Sequence, residues 1–251
     1  MNPVIVRNVR IGEGVPKICV PIVGRTKNEI LDEANKILKT SADLVEWRAD
    51  WFEYVFEFEQ VKDVLEQLRE TLQETPLLFT FRTQKEGGEQ AIDHDTYILL
   101  NKVAVESGNV DLVDVELFAG DTAVTEILNF AHQHQVKVIA SNHDFEKTPS
   151  QEEMISRLQK MEEMGADILK VAVMPKDTKD VLALLEVTEK IHGCMRQPIV
   201  SMSMSGMGVI SRIAGEIFGS AITFGAAEKA SASGQIPVGE LRKVLEILHY
   251  C

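Results

Sequence analysis

Short runs dominated by Val, Ile, Leu and Phe alternate with longer stretches in which apolar residues recur every three or four positions. Eight such runs occur: Ile18–Val23, Asp43–Trp47, Leu77–Phe81, Val110–Val115, Lys137–Ala140, Ile168–Val173, Pro198–Met202 and Ala221–Phe224. Each is too short for a helix and nearly continuous in apolar character, as parallel strands covered on both faces must be. A new run begins about every 29 residues, the length of one strand-plus-helix unit.

The intervening stretches read as helices over roughly 27–39, 59–74, 92–107, 121–134, 150–164, 177–192, 208–218 and 238–249. After Pro149, residues Met154, Leu158 and Met161 form one apolar face, and Glu152, Glu153, Arg157 and Lys160 take the other. Ser150 with Glu153 three residues on supplies a capping box, and Gly165 stands where a C-terminal stop is expected.

Strict alternation with right-handed crossovers leaves an open doubly wound sheet or a closed barrel. An open sheet would carry a Gly-rich phosphate turn after its first strand, and Val23-Gly24-Arg25-Thr26 is not one; Gly206-Met207-Gly208 follows the seventh run instead. Eight units predict an α/β fold of the (β/α)8 TIM-barrel kind, with 1–251 as one domain and the first 16 residues as a hairpin closing its bottom.

Composition narrows the partners. The chain is 45% hydrophobic and 26% charged, ordinary for a globular protein with a sizeable core. A net charge of −13 opposes binding to nucleic acid or anionic membranes. The longest uncharged stretch, Gln197–Ser211, has 15 residues, short of a membrane span, and no apolar leader opens the chain. Three scattered cysteines, Cys19, Cys194 and Cys251, fit a reducing cytoplasm and give neither a zinc nor a redox pair.

In a barrel the chemistry gathers at the C-terminal ends of the strands. Those ends carry Glu46 and Arg48, Arg82 followed by Glu86, Asp114 and Glu116, Ser141-Asn142-His143-Asp144, Lys170, Met202-Ser203-Met204 followed by Arg212, and the small-residue loop Ala230–Gln235. Lys170 is the most informative, because an ammonium inside an apolar strand loses hydration. Alternation sets Ile168, Lys170 and Ala172 against Leu169, Val171 and Val173, so with the bulky set toward the helices Lys170 points into the barrel. Desolvation and nearby Arg48, Arg82 and Arg212 would favour the free amine, a nucleophile toward carbonyls. Snorkelling, or an ion pair with Asp114 or Glu116, is the alternative.

His143, just past the fifth strand, can serve the same mouth as a general acid/base, or be a turn histidine held by its neighbours. Glu46 and Arg48 share a face, either as a salt bridge or as substrate contacts, with Trp47 turned outward. Arg212 offers a carboxylate clamp or a helical pair with Glu216. Glu86 alone reads as a solvated loop residue, and the 231–235 loop as a mobile lid or a connector.

The ordered set Glu46-Trp47-Arg48, Thr80-Phe81-Arg82 with Glu86-Gly87-Gly88, Ser141 to Phe145, Lys170-Val171-Ala172, Ser201 to Met204, Gly208 to Arg212 and Ala230 to Gln235 resembles the type I 3-dehydroquinate dehydratase family along the whole barrel. The resemblance implies a lyase of the shikimate pathway, leading to chorismate and the aromatic amino acids. Lys170 would form an iminium with the substrate ketone, with His143 transferring protons and Glu86 orienting it. Arg212, Ser231 and Gln235 would hold the substrate carboxylate and the nearby hydroxyl; Glu46, Arg48 and Arg82 would bind ring hydroxyls; Met202, Met204 and Phe145 would form apolar walls. A cytoplasmic homodimer with no metal and no cofactor is implied. The chain departs from the pattern at Pro21, where some relatives have serine, and at Ser205-Gly206-Met207, where many have a lysine. Competing readings are a class I aldolase, a metal-dependent barrel using Asp114, Glu116 and His143, and a non-enzymatic binding barrel.

Overall fold

The computed structural model describes residues 2–227 and 234–251. Two short antiparallel strands, β1 (Val4–Val6) and β2 (Val9–Ile11), come first. The repeating units follow: β3 (Lys17–Ile22), α1 (Lys27–Ile37), β4 (Leu44–Arg48), α2 (Phe58–Leu72), β5 (Leu77–Thr80), α3 (His94–Glu106), β6 (Leu112–Glu116) and α4 (Asp121–Gln133). The second half runs β7 (Lys137–Asp144), α5 (Gln151–Glu163), β8 (Ile168–Val173), α6 (Thr178–His192), β9 (Ile199–Ser203), α7 (Val209–Ile213), α8 (Gly215–Phe218), β10 (Ile222–Ala226), β11 (Ile236–Pro237) and α9 (Val238–Tyr250). β3 to β9 pair in parallel in chain order, β10 pairs in parallel with β3, and the two-residue β11 lies beside β10. The curled sheet meets itself at β9 and β10, where Ala221 N–H donates to the Ile199 carbonyl at 2.7 Å and Ser201 N–H donates to Ser220 Oγ at 3.0 Å. This is the expected TIM-barrel fold.

Alternation sorts the core into two shells. Leu169, Val171 and Val173 pack outward with the helices, as do Trp47 and Phe79, whose rings meet edge to face at 5.6 Å. Inward, Cys19, Leu44, Leu78, Leu112, Ile139, Ile168, Val200 and Ile222 form an apolar floor, which Val6 and Ile11 of the hairpin close from below. We expect Ile11→Ala, at a fully buried floor position, to cost about 2–5 kcal/mol, read from the urea midpoint, with KM unchanged because the mouth lies at the other end.

Two sequence expectations change. The fifth strand continues past Ala140 to Asp144, so His143 is a strand residue opposite Ala172 rather than a turn residue; the ladder with β8 persists up to Asp144 opposite Val173. The helix expected over 208–218 is two short helices broken at Ala214. The Ser150 cap is present, its hydroxyl accepting from Glu153 N–H at 3.2 Å.

Candidate active site

Two positions beyond the apolar floor, the inward residue of five neighbouring strands becomes polar: Glu46, Thr80, Asp114, Ser141 and Lys170. Asp114 is the hub. One carboxylate oxygen accepts from Arg82 Nη2 at 2.7 Å and Ser141 Oγ at 2.6 Å, and the other accepts from Lys170 Nζ at 3.1 Å. Burial by itself would raise this carboxyl; the Arg82 and Lys170 cations and the Ser141 hydroxyl outweigh it and hold it at about 2. Its contribution to stability is therefore complete above about pH 4 and lost as pH falls toward 2.

Lys170 thus takes the expected inward direction and makes the ion pair with Asp114 that the sequence offered as an alternative to Glu116. Its Nζ also lies 4.6 Å from the Phe224 ring centroid. Sequence reading missed Phe224, although its place two residues after Ile222 on the last strand carries the inward signal.

Arg82 sits among carboxylates, its Nη1 donating to Glu116 at 2.9 Å and standing 3.6 Å from Glu86. Burial works against its charge, yet Asp114 and Glu116 raise it well above the ordinary arginine value. Glu116 also accepts from the Thr83 N–H and hydroxyl at 2.8 and 2.7 Å. Asp114 and Glu116 therefore serve Arg82. Among the described residues no group of three or more His, Cys, Asp or Glu gathers to hold a metal.

Glu46 accepts from Thr80 Oγ1 at 2.8 Å. It is not the partner of Arg48, whose Nε and Nη2 both bond the buried Asp50 carboxylate at 2.8 Å.

Glu86 lies in the turn after β5 and is buried, against its reading as a solvated loop residue. One oxygen accepts from the His143 main-chain N–H at 2.8 Å and stands 3.0 Å from His143 Nδ1; the other accepts from Asn142 Nδ2 at 3.0 Å. Burial raises Glu86 to about 7, against the pull of Arg82. His143 is driven well below its ordinary value by burial and by the Arg82, Lys170 and Arg48 cations. A neutral imidazole that donates Nδ1–H to Glu86 presents Nε2 as an acceptor to the mouth, where 11% of the side chain stays open.

Of these groups, Glu46, Arg48, Arg82, Glu86, His143, Lys170 and Phe224 line one cavity of about 630 Å³, open to solvent at its mouth, together with Met202, Met204, Phe145, Arg212 and Gln235. Phe145 is 44% exposed at its rim. Gly87, with φ +83°, lets that ring lie so close that a Cβ there would meet it at 2.4 Å. Arg212 falls inside α7 and is buried at the mouth. Glu216, the helical partner the sequence offered, pairs with His249 at 2.7 Å. Burial lowers Arg212 to about 10, which leaves it charged at neutral pH. Gly234, beside Gln235, has φ +82° and abuts the turn at Ser205, where a Cβ would lie 2.3 Å from the carbonyl oxygen. Ser231 lies outside the described residues.

Fold and mouth together define a (β/α)8-barrel enzyme whose charged pocket holds a buried lysine beside a neutral histidine. Residues 18–250 match the family model for type I 3-dehydroquinase. The chain is similar to the crystal structure of a type I 3-dehydroquinate dehydratase from Clostridium difficile, at 55% identity and TM-score 0.97 over 100% of this chain and 99% of that one. A Geobacillus kaustophilus 3-dehydroquinate dehydratase structure shares 39% identity with TM-score 0.97 over 100% and 99% of the two chains, and a Listeria monocytogenes 3-dehydroquinate dehydratase is 54% identical over 99% of each. The chain belongs to the type I 3-dehydroquinase family.

Proposed function

We propose that this enzyme dehydrates 3-dehydroquinate to 3-dehydroshikimate through a Schiff base on Lys170, with His143 as the general acid/base. One observation carries the reading. Lys170 lies opposite Ser141, and His143 is two residues farther up the same inward face, so amine and imidazole stand on adjoining strands one step apart in a single pocket. The C. difficile relative is described with a covalent modified comenic acid, which supports a reactive nucleophile in that protein.

The attacking form of Lys170 is the amine, so its ammonium must shed a proton, and the unprotonated His143 is the acceptor at hand. The amine adds to the ketone. Protonated His143 then assists loss of the carbinolamine hydroxyl as water, leaving an iminium and a neutral imidazole. With nitrogen positively charged, the α-proton becomes acidic; His143 Nε2 removes it and the electron pair moves to nitrogen as an enamine. The enamine expels the β-hydroxyl, which takes the proton from His143 and leaves as water. Hydrolysis of the conjugated iminium consumes one water, releases product and restores the Lys170 ammonium. The net change is loss of one water.

Arg212, with Gln235 and Ser231, would clamp the substrate carboxylate and fix which ring face meets His143. Glu46 and Arg48 would meet ring hydroxyls. Arg82, surrounded by Asp114, Glu116 and Glu86, would chiefly neutralise them. Met202, Met204 and Phe145 would form the apolar walls. Arg212→Met should raise KM by about 10- to 100-fold with a smaller change in kcat, measured in steady state.

The direct test supplies 3-dehydroquinate and follows the conjugated enone of the product by its ultraviolet absorbance. Turnover undiminished after dialysis against EDTA is the expected result. Turnover that needs added metal, or cleavage of phosphorylated sugars in place of dehydration, would reject the reading. We further read the chain as one barrel domain working as a cytoplasmic homodimer in aromatic biosynthesis; among the described residues no helix is long and apolar enough to cross a membrane. A sedimentation mass of one chain would contradict the dimer.

A further inference from the structure

On the helix side of β7, a line of hydrogen bonds joins α5 to the catalytic histidine. Ser141 and His143 face the barrel interior, so alternation turns the buried Asn142 the other way. There Arg157 of α5 donates through Nη1 to Asn142 Oδ1. Asn142 Nδ2 in turn donates to one oxygen of Glu86 at 3.0 Å, and the other oxygen of Glu86 receives His143 N–H and meets Nδ1. Arg157 occupies the polar face of α5, yet only 12% of its side chain is exposed. Its guanidinium is held by Glu153 on its own helix, by Asp144 of β7 at 3.8 Å, and by the Phe118 ring, whose centroid is 5.3 Å away.

We propose that Arg157 is a positioning residue that acts through Asn142 on the Glu86–His143 pair. The physical reason is the asymmetry of an amide. A guanidinium can only donate, so Arg157 fixes the Asn142 oxygen toward itself and thereby aims the amide N–H at Glu86. A reversed amide would set an oxygen against the carboxylate. A carboxylate that receives the amide N–H stays ionised more readily and keeps the imidazole as its Nδ1–H form, with Nε2 open to the mouth. The other charges on Glu86 are Arg82 and Glu116, and those on His143 are Arg82, Lys170 and Arg48; none of these touches Arg157. The inference rests on His143 being the proton carrier proposed above.

The test is the pH profile of kcat/KM for Arg157→Met, Arg157→Lys and Asn142→Ala. In Arg157→Met the acid limb should move up by about one pH unit, with activity about fivefold lower at pH 7, about tenfold lower well below the limb, and converging on the parent enzyme at alkaline pH. Asn142→Ala should give the same shift, the double variant no more than either single one, and Arg157→Lys, which keeps a donor, should restore the limb. A limb that stays in place, or a uniform fall at every pH, would overturn the proposal, since a purely structural prop lowers activity without moving the limb. Imidazole nitrogen chemical shifts of His143 in substrate-free enzyme provide a readout independent of catalysis. Loss of the Nδ1–H form in Arg157→Met is expected, and an unchanged tautomer would count against the relay. Should His143→Ala turn over at the parent rate, the proposed function fails while these shifts still decide the positioning role.

Discussion

Lys170→Ala is expected to lower kcat on the order of 10⁴-fold or more while the protein stays folded. The amine is the only part of the proposed chemistry that makes the α-proton acidic by covalent means, and no orientation of a neutral ketone replaces it. Folding should survive because Asp114 keeps Arg82 at 2.7 Å and Ser141 at 2.6 Å after the ammonium is removed. Asp114 loses one of its two cations, so the acid side of the stability curve should move to higher pH: a carboxyl held at about 2 gives stability that disappears as pH drops, and weaker pairing lets it disappear sooner. Steady-state rates together with thermal melts at pH 4 and pH 7 check both parts. A rate near that of the parent enzyme would remove Lys170 from the mechanism.

His143→Ala carries the second large effect, a fall in kcat on the order of 10² to 10⁴. In the proposed cycle one imidazole carries the Lys170 proton, the α-proton and the proton leaving with the β-hydroxyl, so its loss slows iminium formation and both steps of elimination. The pH dependence should separate it from the parent enzyme. Activity of the parent should fall as pH drops through about 7, where Glu86 takes up a proton and can no longer accept Nδ1–H, and should hold at higher pH. The alanine variant should be slow across the range and lose that dependence. An acid limb retained unchanged in His143→Ala would assign it to another group.

Much of the molecule is legible in its sequence for a plain reason: a parallel strand covered on both faces has to be apolar at every position, so a charge inside one is conspicuous. Lys170 between Leu169 and Val171 is such a charge, and its inward direction follows from alternation alone. What pairs with it does not follow. Asp114 reaches Lys170 across 56 residues of chain, and only the register of β6, β7 and β8 brings Asp114, Ser141 and Lys170 together. Arg48 shows the same limit at short range, since the shared strand face points to Glu46 two residues back whereas the structure pairs it with Asp50 two residues on. Arg157 was hidden by its helical phase, which marks a polar face without showing that β7 lies within reach of it. The extension of β7 to Asp144 also escaped, because Ser141-Asn142-His143-Asp144 has turn-like residue types and is held extended by its partner β8.

The central claim is a covalent bond between Lys170 and the substrate, and borohydride trapping tests it most directly. Enzyme mixed with 3-dehydroquinate and reduced with borohydride should gain the mass of one reduced adduct, and peptide mapping should locate it on Lys170, with none formed in Lys170→Ala. Normal turnover with no adduct, or an adduct mapped to a different lysine, would contradict the account.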